Sequence, residues 1–185
     1  MTRAPLSTAD LRRPVVAAAA VQEFARGGYH GTTIADVARA AAISPAYVVK
    51  LFPTKERLFV AALETCFDRI LAALSAGADA ADDTSPDGLL HAMGGTYAQL
   101  IADRSLLMLQ VHAQSVAELP EIGAALRSGL QQIVELAAQR SGASDDAVQR
   151  FIAFGQLCHL IVTTQVEDVP ETWARLLTAG IRHPD

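Results

Sequence analysis

The amino-acid sequence predicts an all-α protein of about nine helices. Hydrophobic residues make up 51% of the 185 residues and charged residues 19%, which allows a substantial core. Alanine and leucine, both strong helix formers, are abundant, and the chain contains no alternating run of β-branched residues. Apolar residues instead recur three or four positions apart, as they do on the buried face of a helix.

The first helix is predicted to begin near Leu11, after a loose tail over residues 1–10. Asp10 can cap its start, and Gly27-Gly28 is expected to end it because glycine adopts the left-handed conformation found at helix ends. The predicted buried face consists of apolar residues at helical spacing: Leu11, Val16, Ala20 and Phe24.

Two short helices are predicted next, over residues 33–41 and 44–52. Thr33 and Asp36 fit the capping-box pattern, in which a threonine and an acidic residue three positions later satisfy each other's backbone N–H groups. Ser44-Pro45 is a cap residue followed by proline at the first helical position. Two short helices joined by a three-residue turn predict a helix-turn-helix.

A long fourth helix should start at Thr54, and an acidic, turn-forming linker at 77–88 should follow it. Gly94-Gly95 marks either a kink or close helix contact, or a boundary between two short helices, and both interpretations stay open. Five further helices are predicted near 86–103, 105–117, 120–140, 145–166 and 170–182.

Charge is unevenly distributed along the chain. Residues 1–57 carry eight basic and four acidic side chains, a net charge of +4, which leaves −9 for the rest of a chain whose total is −5. Both lysines of the chain, Lys50 and Lys55, lie in this basic part. Lys55 falls in the first turn of a predicted helix, where a cation opposes the helix dipole but is well placed to contact an anion. The pattern predicts a basic module for a polyanion on an acidic body, and a chance fluctuation in solvated surface charges is the alternative interpretation.

The helix-turn-helix is the motif that suggests a function. In such a unit the second helix enters the major groove of DNA with its N-terminus first. Its start here is small or polar, at Ser44, Pro45, Ala46 and Tyr47, and its rear face is apolar, at Ile43, Val48 and Phe52. From the pattern alone, an ordinary helical hairpin is an equally good interpretation.

The stretch Val15 to Phe59 resembles the DNA-binding region of the TetR (tetracycline-repressor-like) family of bacterial regulators. The matching motifs are A-x-x-x-F-x-x-x-G at Ala20, Phe24 and Gly28, TT-x-x-D-V-A from Thr32 to Ala38, and LFPTKERLF from Leu51 to Phe59. The resemblance implies a homodimeric, ligand-responsive regulator of transcription, usually a repressor, that binds double-stranded operator DNA. It further implies a helix-turn-helix DNA-binding domain over 11–53 and a helical ligand-binding and dimerisation domain over 54–185.

The resemblance also implies which residues meet DNA. Thr33 and Lys55 would contact phosphates, while Pro45, Ala46 and Tyr47 would face bases. The full predicted DNA-binding set is Thr33, Ala35, Ser44, Pro45, Ala46, Tyr47, Lys50, Thr54 and Lys55.

The sequence departs from the family pattern in three ways. Val49 and Leu51 stand where the family often has a polar aromatic or histidine pair that touches phosphates, so Tyr47 and Lys50 would have to compensate. Ala42 replaces a common turn glycine, which costs on the order of 1 kcal/mol if the site is left-handed. Pro45 and Ala46 offer no hydrogen bonds to base edges, which leaves thymine methyl contacts, Tyr47 and DNA shape as sources of specificity.

The C-terminal part is expected to bind a mostly apolar small molecule and a second copy of the chain. Each candidate has an ordinary core residue as its alternative interpretation. The predicted ligand-lining residues are Met93, Tyr97, Met108, His112, Phe154 and Cys158. The predicted dimer-interface residues are Ala153, Gly155, Leu157, Leu160, Ile161 and Trp173.

Other classes of protein are less well supported. No catalytic motif, cofactor motif or metal-ligand pair is present, so no enzyme activity, cofactor or metal is expected. Cys66 and Cys158 lie in apolar helical runs and are interpreted as core residues. No stretch is long enough to span a bilayer, and a cytoplasmic location is expected. A helical adaptor or ligand-binding protein that no longer binds DNA remains the alternative function.

Overall fold

The computed structural model describes residues 8–180, and in that range all regular secondary structure is helical, without a β-strand. The predicted all-α class is confirmed. The α-helices of the described chain are α1 (Thr8–Gly31), α2 (Ile34–Ala40), α3 (Pro45–Leu51), α4 (Lys55–Asp79), α5 (Pro86–Leu100), α6 (Arg104–Gln114), α7 (Pro120–Ser141), α8 (Asp145–Thr164) and α9 (Thr172–Thr178). A short 3-10 helix, Val166–Asp168, lies between α8 and α9.

The described residues pack into two compact units. Residues up to Asp68 together with Ser105–Gly129 form the first unit, and Arg69–Arg104 together with the residues from Leu130 onward form the second. Large side chains fully buried in the first unit include Phe24, Leu51, Leu58, Phe59, Leu63, Leu106, Leu107 and Leu109. Those of the second unit include Ile70, Leu74, Met93 and Ile101. None of the helices in the described range is long and apolar enough to cross a membrane.

Most helix starts follow from local capping chemistry. Ser44, Ser85 and Ser144 each accept a hydrogen bond from the backbone N–H three residues later, which satisfies a donor that the first turn leaves open. Proline occupies the first helical position after Ser44 and Ser85, where its missing N–H costs nothing. These signals explain why the predicted starts of α3 and α5 agree with the structure.

Both ends of the described chain differ from the prediction. Helix α1 begins at Thr8, so the predicted start at Leu11 is wrong, and residues 1–7 of the predicted tail lie outside the described range. Leu11 is 59% exposed and does not belong to the buried face. Helix α9 covers only Thr172–Thr178, shorter than the predicted 170–182, whose last residues lie outside the described range.

Two predictions made for glycines, at Gly28 in α1 and at Gly94 in α5, can be compared with the structure. Gly28 has φ 65° and ψ −176° and breaks the helical geometry of α1, as predicted, although helical residues continue beyond it to Gly31. Gly94 lies inside the continuous helix α5, so the predicted boundary at Gly94-Gly95 does not exist. A Cβ at Gly94 would lie 3.7 Å from the Phe151 ring of α8, which favours the close-contact interpretation.

Ala42, in the turn between α2 and α3, has φ 54° and is therefore left-handed, as the departure from the family pattern suggested. We expect Ala42→Gly to raise the free energy of unfolding by about 0.5 kcal/mol, because relief of the left-handed strain exceeds the entropy cost of glycine at this exposed site. Urea denaturation would measure the change. The matched control is Ala40→Gly at the helical end of α2, which should lower stability instead; a loss at both positions would contradict the prediction.

Candidate nucleic-acid interface

Helices α2 and α3 form the predicted helix-turn-helix. The chain turns tightly after α2, where the Ile43 N–H donates to the Ala38 carbonyl at 3.0 Å and the Ala42 N–H donates to the Arg39 carbonyl at 3.2 Å. Val48 and Phe52 are buried, which confirms most of the predicted apolar rear face, while Ile43 is half-buried.

The predicted DNA-contacting residues are nearly all accessible. The first turn of α3 presents Pro45 and Ala46 to solvent, with Tyr47 half-buried beside them. The Ser44 hydroxyl oxygen accepts the Tyr47 N–H at 3.2 Å, so its main role is to hold the start of the helix. Among the other candidates, Lys55 is half-buried and the following are exposed: Thr33, Ala35, Lys50 and Thr54.

Thr33 is already engaged by its own helix. Its backbone N–H donates to Oδ2 of Asp36 at 2.9 Å, its hydroxyl donates to the same oxygen at 2.6 Å, and the Asp36 N–H donates back to the hydroxyl oxygen at 3.2 Å. These hydrogen bonds from Thr33, with a further one from Arg39, lower the pKa of Asp36 to about 2. A phosphate at Thr33 would have to compete with this carboxylate for the hydroxyl proton.

Lys55 occupies a defined position at the start of α4. Its ammonium lies 4.8 Å from the centre of the Tyr29 ring and 3.5 Å from the His30 carbonyl oxygen, at the C-terminal end of α1. Both contacts stabilise a cation, through the negative face of the ring and the partial charge of the carbonyl. Partial burial nevertheless lowers the pKa of Lys55.

An aromatic cluster supports this lysine, and the sequence reasoning missed it. The Tyr29 ring packs edge-on against Phe59 at 5.5 Å between ring centres, and Phe59 packs edge-on against Phe24 at 4.8 Å. Desolvation raises the pKa of the Tyr29 hydroxyl, with a smaller contribution from the charge of Glu56. The aromatic residue directly after Gly28 was the signal available in the sequence.

The positions that depart from the family pattern have separate roles. Leu51 is a buried core residue with 2% exposure, whereas Val49 is 43% exposed and adds an apolar side chain to the outer face of α3.

The Thr54 hydroxyl oxygen accepts the Arg57 N–H at 3.0 Å and caps α4.

A solvent-open cleft of about 600 Å³ lies in the first unit beside the end of α3 and the start of α4. The Arg13 guanidinium lies over the Phe52 ring at 5.2 Å, and Arg57 pairs with Glu121 at 2.7 Å. The Glu121 backbone N–H also donates to Glu56 at 3.3 Å, which ties the start of α7 to the start of α4. None of the predicted ligand-lining residues lines this cleft.

The predicted ligand-lining residues fall into both units. In the second unit Met93 and Cys158 are buried, Tyr97 is half-buried and Phe154 is 56% exposed, so Phe154 does not line an enclosed space there. In the first unit Met108 and His112 are half-buried. Both cysteines of the chain are buried and form no disulfide, which agrees with their interpretation as core residues.

The half-buried Tyr97 and the buried His159 form a polar pair in the second unit that was not recognised as a pair from the sequence. The Tyr97 hydroxyl lies 2.5 Å from Nε2 of His159, and Nδ1 of His159 has no hydrogen-bond partner among the described residues. Burial lowers the pKa of His159 to about 4, so the ring is neutral at pH 7.

The buried imidazole gives a testable pH dependence. Because folding lowers the pKa of His159, the folded state binds fewer protons than the unfolded state between the two pKa values. Protonation of the unfolded state therefore lowers the free energy of unfolding as the pH falls below about 6.5. This loss levels off near pH 4, where the folded state binds the proton as well. We expect the free energy of unfolding to fall by about 2 kcal/mol by pH 5, and we expect this fall to be absent in His159→Asn. Thermal unfolding from pH 7 to 5 would measure it, with the exposed His91→Asn as the control variant. If stability depends on pH in His159→Asn as it does in the wild type, the pH dependence does not come from His159.

The predicted dimer-interface residues also differ in accessibility. Leu160 and Trp173 are 51% and 56% exposed, and Ala153 is exposed as well. Ile161 is fully buried against Val166 and Ala174 of its own chain, so its side chain is not accessible to a partner as predicted. Gly155 and Leu157 are half-buried. Within the single chain, helix α8 therefore leaves part of its apolar surface in solvent.

Comparison with known proteins finds similarity in the N-terminal part of the chain. Residues 16–62 match the family described as bacterial regulatory proteins of the tetR family. The HTH-type transcriptional regulator RutR of Escherichia coli strain K12 is 34% identical over 65 residues, which cover 35% of this chain. The matched segment spans 31% of the length of that curated relative.

Solved structures share the fold over most of the chain. A transcriptional regulator from Rhodococcus sp. Rha1 is 23% identical with a TM-score of 0.70, covering 89% of this chain and 91% of that one. The regulator FadR of Bacillus subtilis, solved in complex with stearoyl-CoA, is 15% identical with a TM-score of 0.68. The match covers 91% of this chain and 99% of that chain. At these identities the likeness shows the fold.

The match over residues 16–62 falls on α1 to α4, which hold the helix-turn-helix, and the shared fold extends through the C-terminal helices. Residues 16–62 are therefore similar to the DNA-binding region of bacterial regulatory proteins of the tetR family, and the rest of the chain shares the fold of the solved structures.

Proposed function

We propose that the chain is a transcriptional repressor that binds double-stranded operator DNA as a homodimer and leaves it when a small, mostly apolar molecule binds. The observation that carries the proposal is the exposed, small and polar start of α3 beside two cations, Lys50 and Lys55. Residues 11–53 would form the DNA-binding domain and residues 54–185 the ligand-binding and dimerisation domain.

The contacts to DNA divide by chemistry. Pro45, Ala46 and Tyr47 would face base edges, because the N-terminal residues of a recognition helix reach the bases in the major groove. Lys50 and Lys55 would contact phosphates, which position the protein on any sequence. The capped starts of α2 and α4, near Thr33 and Thr54, present backbone N–H groups that favour anions.

The dimer is supported by apolar side chains that the second unit leaves in solvent. Large exposed apolar groups lie on its helices α7 to α9: Val134, Phe154, Leu160, Trp173 and Leu176. An apolar surface of this kind is typical of a subunit interface. A dimer also suits the task, since two recognition helices must reach major grooves about 34 Å apart.

Release by a ligand follows from the same geometry. Helix α4 begins directly after the helix-turn-helix, so a ligand that shifts α4 would change the spacing of the two recognition helices. The related FadR was solved with stearoyl-CoA, a molecule with a long apolar chain, and this supports an apolar ligand for the present chain. A DNA-binding role implies that the protein works in the cytoplasm, where the bacterial chromosome lies.

Fluorescence anisotropy would test DNA binding, with labelled duplex from upstream of the chain's own gene against a scrambled duplex of equal length. We expect a preference of at least 100-fold for the true site, a stoichiometry of two chains per site, and a steep loss of affinity with salt, because bound phosphates release counterions.

Selection of bound fragments from the whole genome provides the second arm of the test, in case the operator lies elsewhere. If no fragment is enriched and binding to every duplex is absent at low salt, the chain is the adaptor or ligand-binding protein of the alternative interpretation.

A further inference from the structure

Val49 is a large apolar side chain in the middle of the exposed face of α3. It is 43% exposed, whereas Val48 and Leu51 are buried on the opposite side of the helix. At about 3.6 residues per turn, Val49 falls between Pro45 and Ala46 around the helix, and both of these residues are exposed as well. Pro45, Ala46 and Val49 therefore form one continuous apolar surface, which we call the α3 strip.

The α3 strip offers few hydrogen bonds. None of its three side chains has a polar atom, and Pro45 also lacks a backbone N–H. The neighbouring Tyr47 N–H donates to the Ser44 hydroxyl oxygen at 3.2 Å. Helix α3 contains none of the arginine, asparagine and glutamine side chains that pair with guanine or adenine through two hydrogen bonds. A helix with this surface has to obtain most of its sequence information from apolar contacts.

The base edges of the major groove offer one apolar group, the C5-methyl of thymine, among hydrogen-bond donors and acceptors. A phosphate oxygen or a base-edge acceptor held against Val49 would lose its hydration without gaining a hydrogen bond. Lys50 is exposed one turn after Ala46, so a cation borders the α3 strip. An apolar surface beside a cation suits a partner that carries methyl groups between phosphates.

We propose that Val49, together with Pro45 and Ala46, recognises the C5-methyl groups of thymines in each operator half-site. Val49 is then a specificity-determining residue that the predicted DNA-binding set does not contain. The inference rests on the DNA-binding part of the proposed function and specifies which base group is read. Residues one helical turn apart have Cβ atoms about 5–6 Å apart, and stacked bases are about 3.4 Å apart, so the thymines should lie one or two base-pair steps apart.

Deoxyuridine tests the contact directly, because it differs from thymidine only in lacking the C5-methyl. The full-length chain would select sites from two libraries of random-sequence duplexes, one made with thymidine and one with deoxyuridine. We expect closely spaced thymines in the half-sites from the first library and no preference at those positions from the second.

The affinity for the selected duplex should fall at least 20-fold when deoxyuridine replaces those thymines in both half-sites. Each buried methyl contributes about fourfold, and several are lost at once. Fluorescence anisotropy would measure the fall. Equal affinity for the two duplexes would overturn the proposal.

Val49→Ala removes two methyl groups at an exposed helical position, where alanine is the better helix former, so the fold is retained. This variant should lose about tenfold on the thymidine duplex and less than about twofold on the deoxyuridine duplex, where the partner methyl is already absent. The matched control is Val15→Ala on α1, at a valine that is 48% exposed and lies outside α2 and α3. The control should bind both duplexes as the wild type does, and an equal loss on both duplexes in Val49→Ala would overturn the role of Val49.

Deoxyuridine at one thymine at a time identifies the methyl that Val49 contacts. One position in each half-site should lose its methyl dependence in Val49→Ala, while the positions read by Pro45 and Ala46 keep theirs. At that position a 5-methylcytosine·guanine pair should bind the wild type better than cytosine·guanine, because it places a methyl at the same point of the groove. If every position keeps its methyl dependence in Val49→Ala, other residues read the methyls and the assignment is wrong.

The two libraries also separate this inference from the proposed function. If neither library yields a selected sequence, DNA binding itself is contradicted, and the methyl contact with it. If both libraries yield the same site with equal affinity, the DNA-binding regulator stands and only the methyl contact is overturned.

Discussion

Replacing Gly28 with alanine is expected to lower the free energy of unfolding by about 3–4 kcal/mol. Gly28 has φ 65° and ψ −176°, a combination that is essentially restricted to glycine and costs other residues about 1–3 kcal/mol. The new Cβ would also lie 3.0 Å from Nδ1 of His112, so the ring of α6 would have to move. Chemical denaturation monitored by circular dichroism would measure the loss.

Gly31→Ala is the matched control, since Gly31 is exposed, has ordinary backbone angles and would place its Cβ in open space. This control should change stability by less than about 1 kcal/mol. Adding His112→Ala to Gly28→Ala separates backbone strain from the contact with the His112 ring. The double variant relieves the contact and leaves the strain. Full recovery in the double variant would contradict a backbone origin, and no loss in Gly28→Ala would contradict both causes.

Lys55→Met is expected to weaken operator binding by the dimer about 100-fold and to reduce the salt dependence by about one unit per protomer. Each protomer would lose one phosphate contact, and each such contact contributes about 0.9 to the slope of log affinity against log salt. The loss should be similar on operator and random DNA, because a phosphate contact carries no sequence information. Anisotropy titrations at four or more salt concentrations would give both values.

Arg150→Met makes the same change in charge on α8, where Arg150 pairs with Asp146 at 2.5 Å, outside the proposed interface. Its salt slope should equal that of the wild type. A normal slope in Lys55→Met would assign Lys55 to the Tyr29 and His30 contacts alone, with no role at the phosphates. Thermal unfolding of both variants would show whether those contacts contribute to stability.

The helix-turn-helix was predictable because its signals are local. The capping box at Thr33 and Asp36 and the cap-proline pair at Ser44 and Pro45 each act within one helical turn. The left-handed conformation of Ala42 was foreseen only as a possibility, because the family commonly has glycine at this turn position. Leu11 misled the prediction because its apolar spacing extends the pattern of α1 beyond the part of the helix that packs against other residues.

The remaining features depend on contacts between distant positions. Tyr97 and His159 are 62 residues apart, and their hydrogen bond depends on how α5 packs against α8. Lys55 and His30 are 25 residues apart, and the position of the ammonium over Tyr29 depends on where α1 breaks at Gly28. Helical periodicity distinguishes buried from exposed faces, but it does not specify which residues of two faces meet.

The contacts of Lys55 have a consequence for the speed of the proposed binding to DNA. A free lysine side chain loses up to about 2 kcal/mol of rotamer entropy when it is fixed on a phosphate. Here the Tyr29 ring and the His30 carbonyl already restrict the side chain before DNA arrives, and the ammonium retains further N–H groups to donate. If Lys55 contacts DNA as proposed, the side chain is therefore preorganised, less ordering is required on binding a duplex, and a larger fraction of encounters should lead to bound complexes.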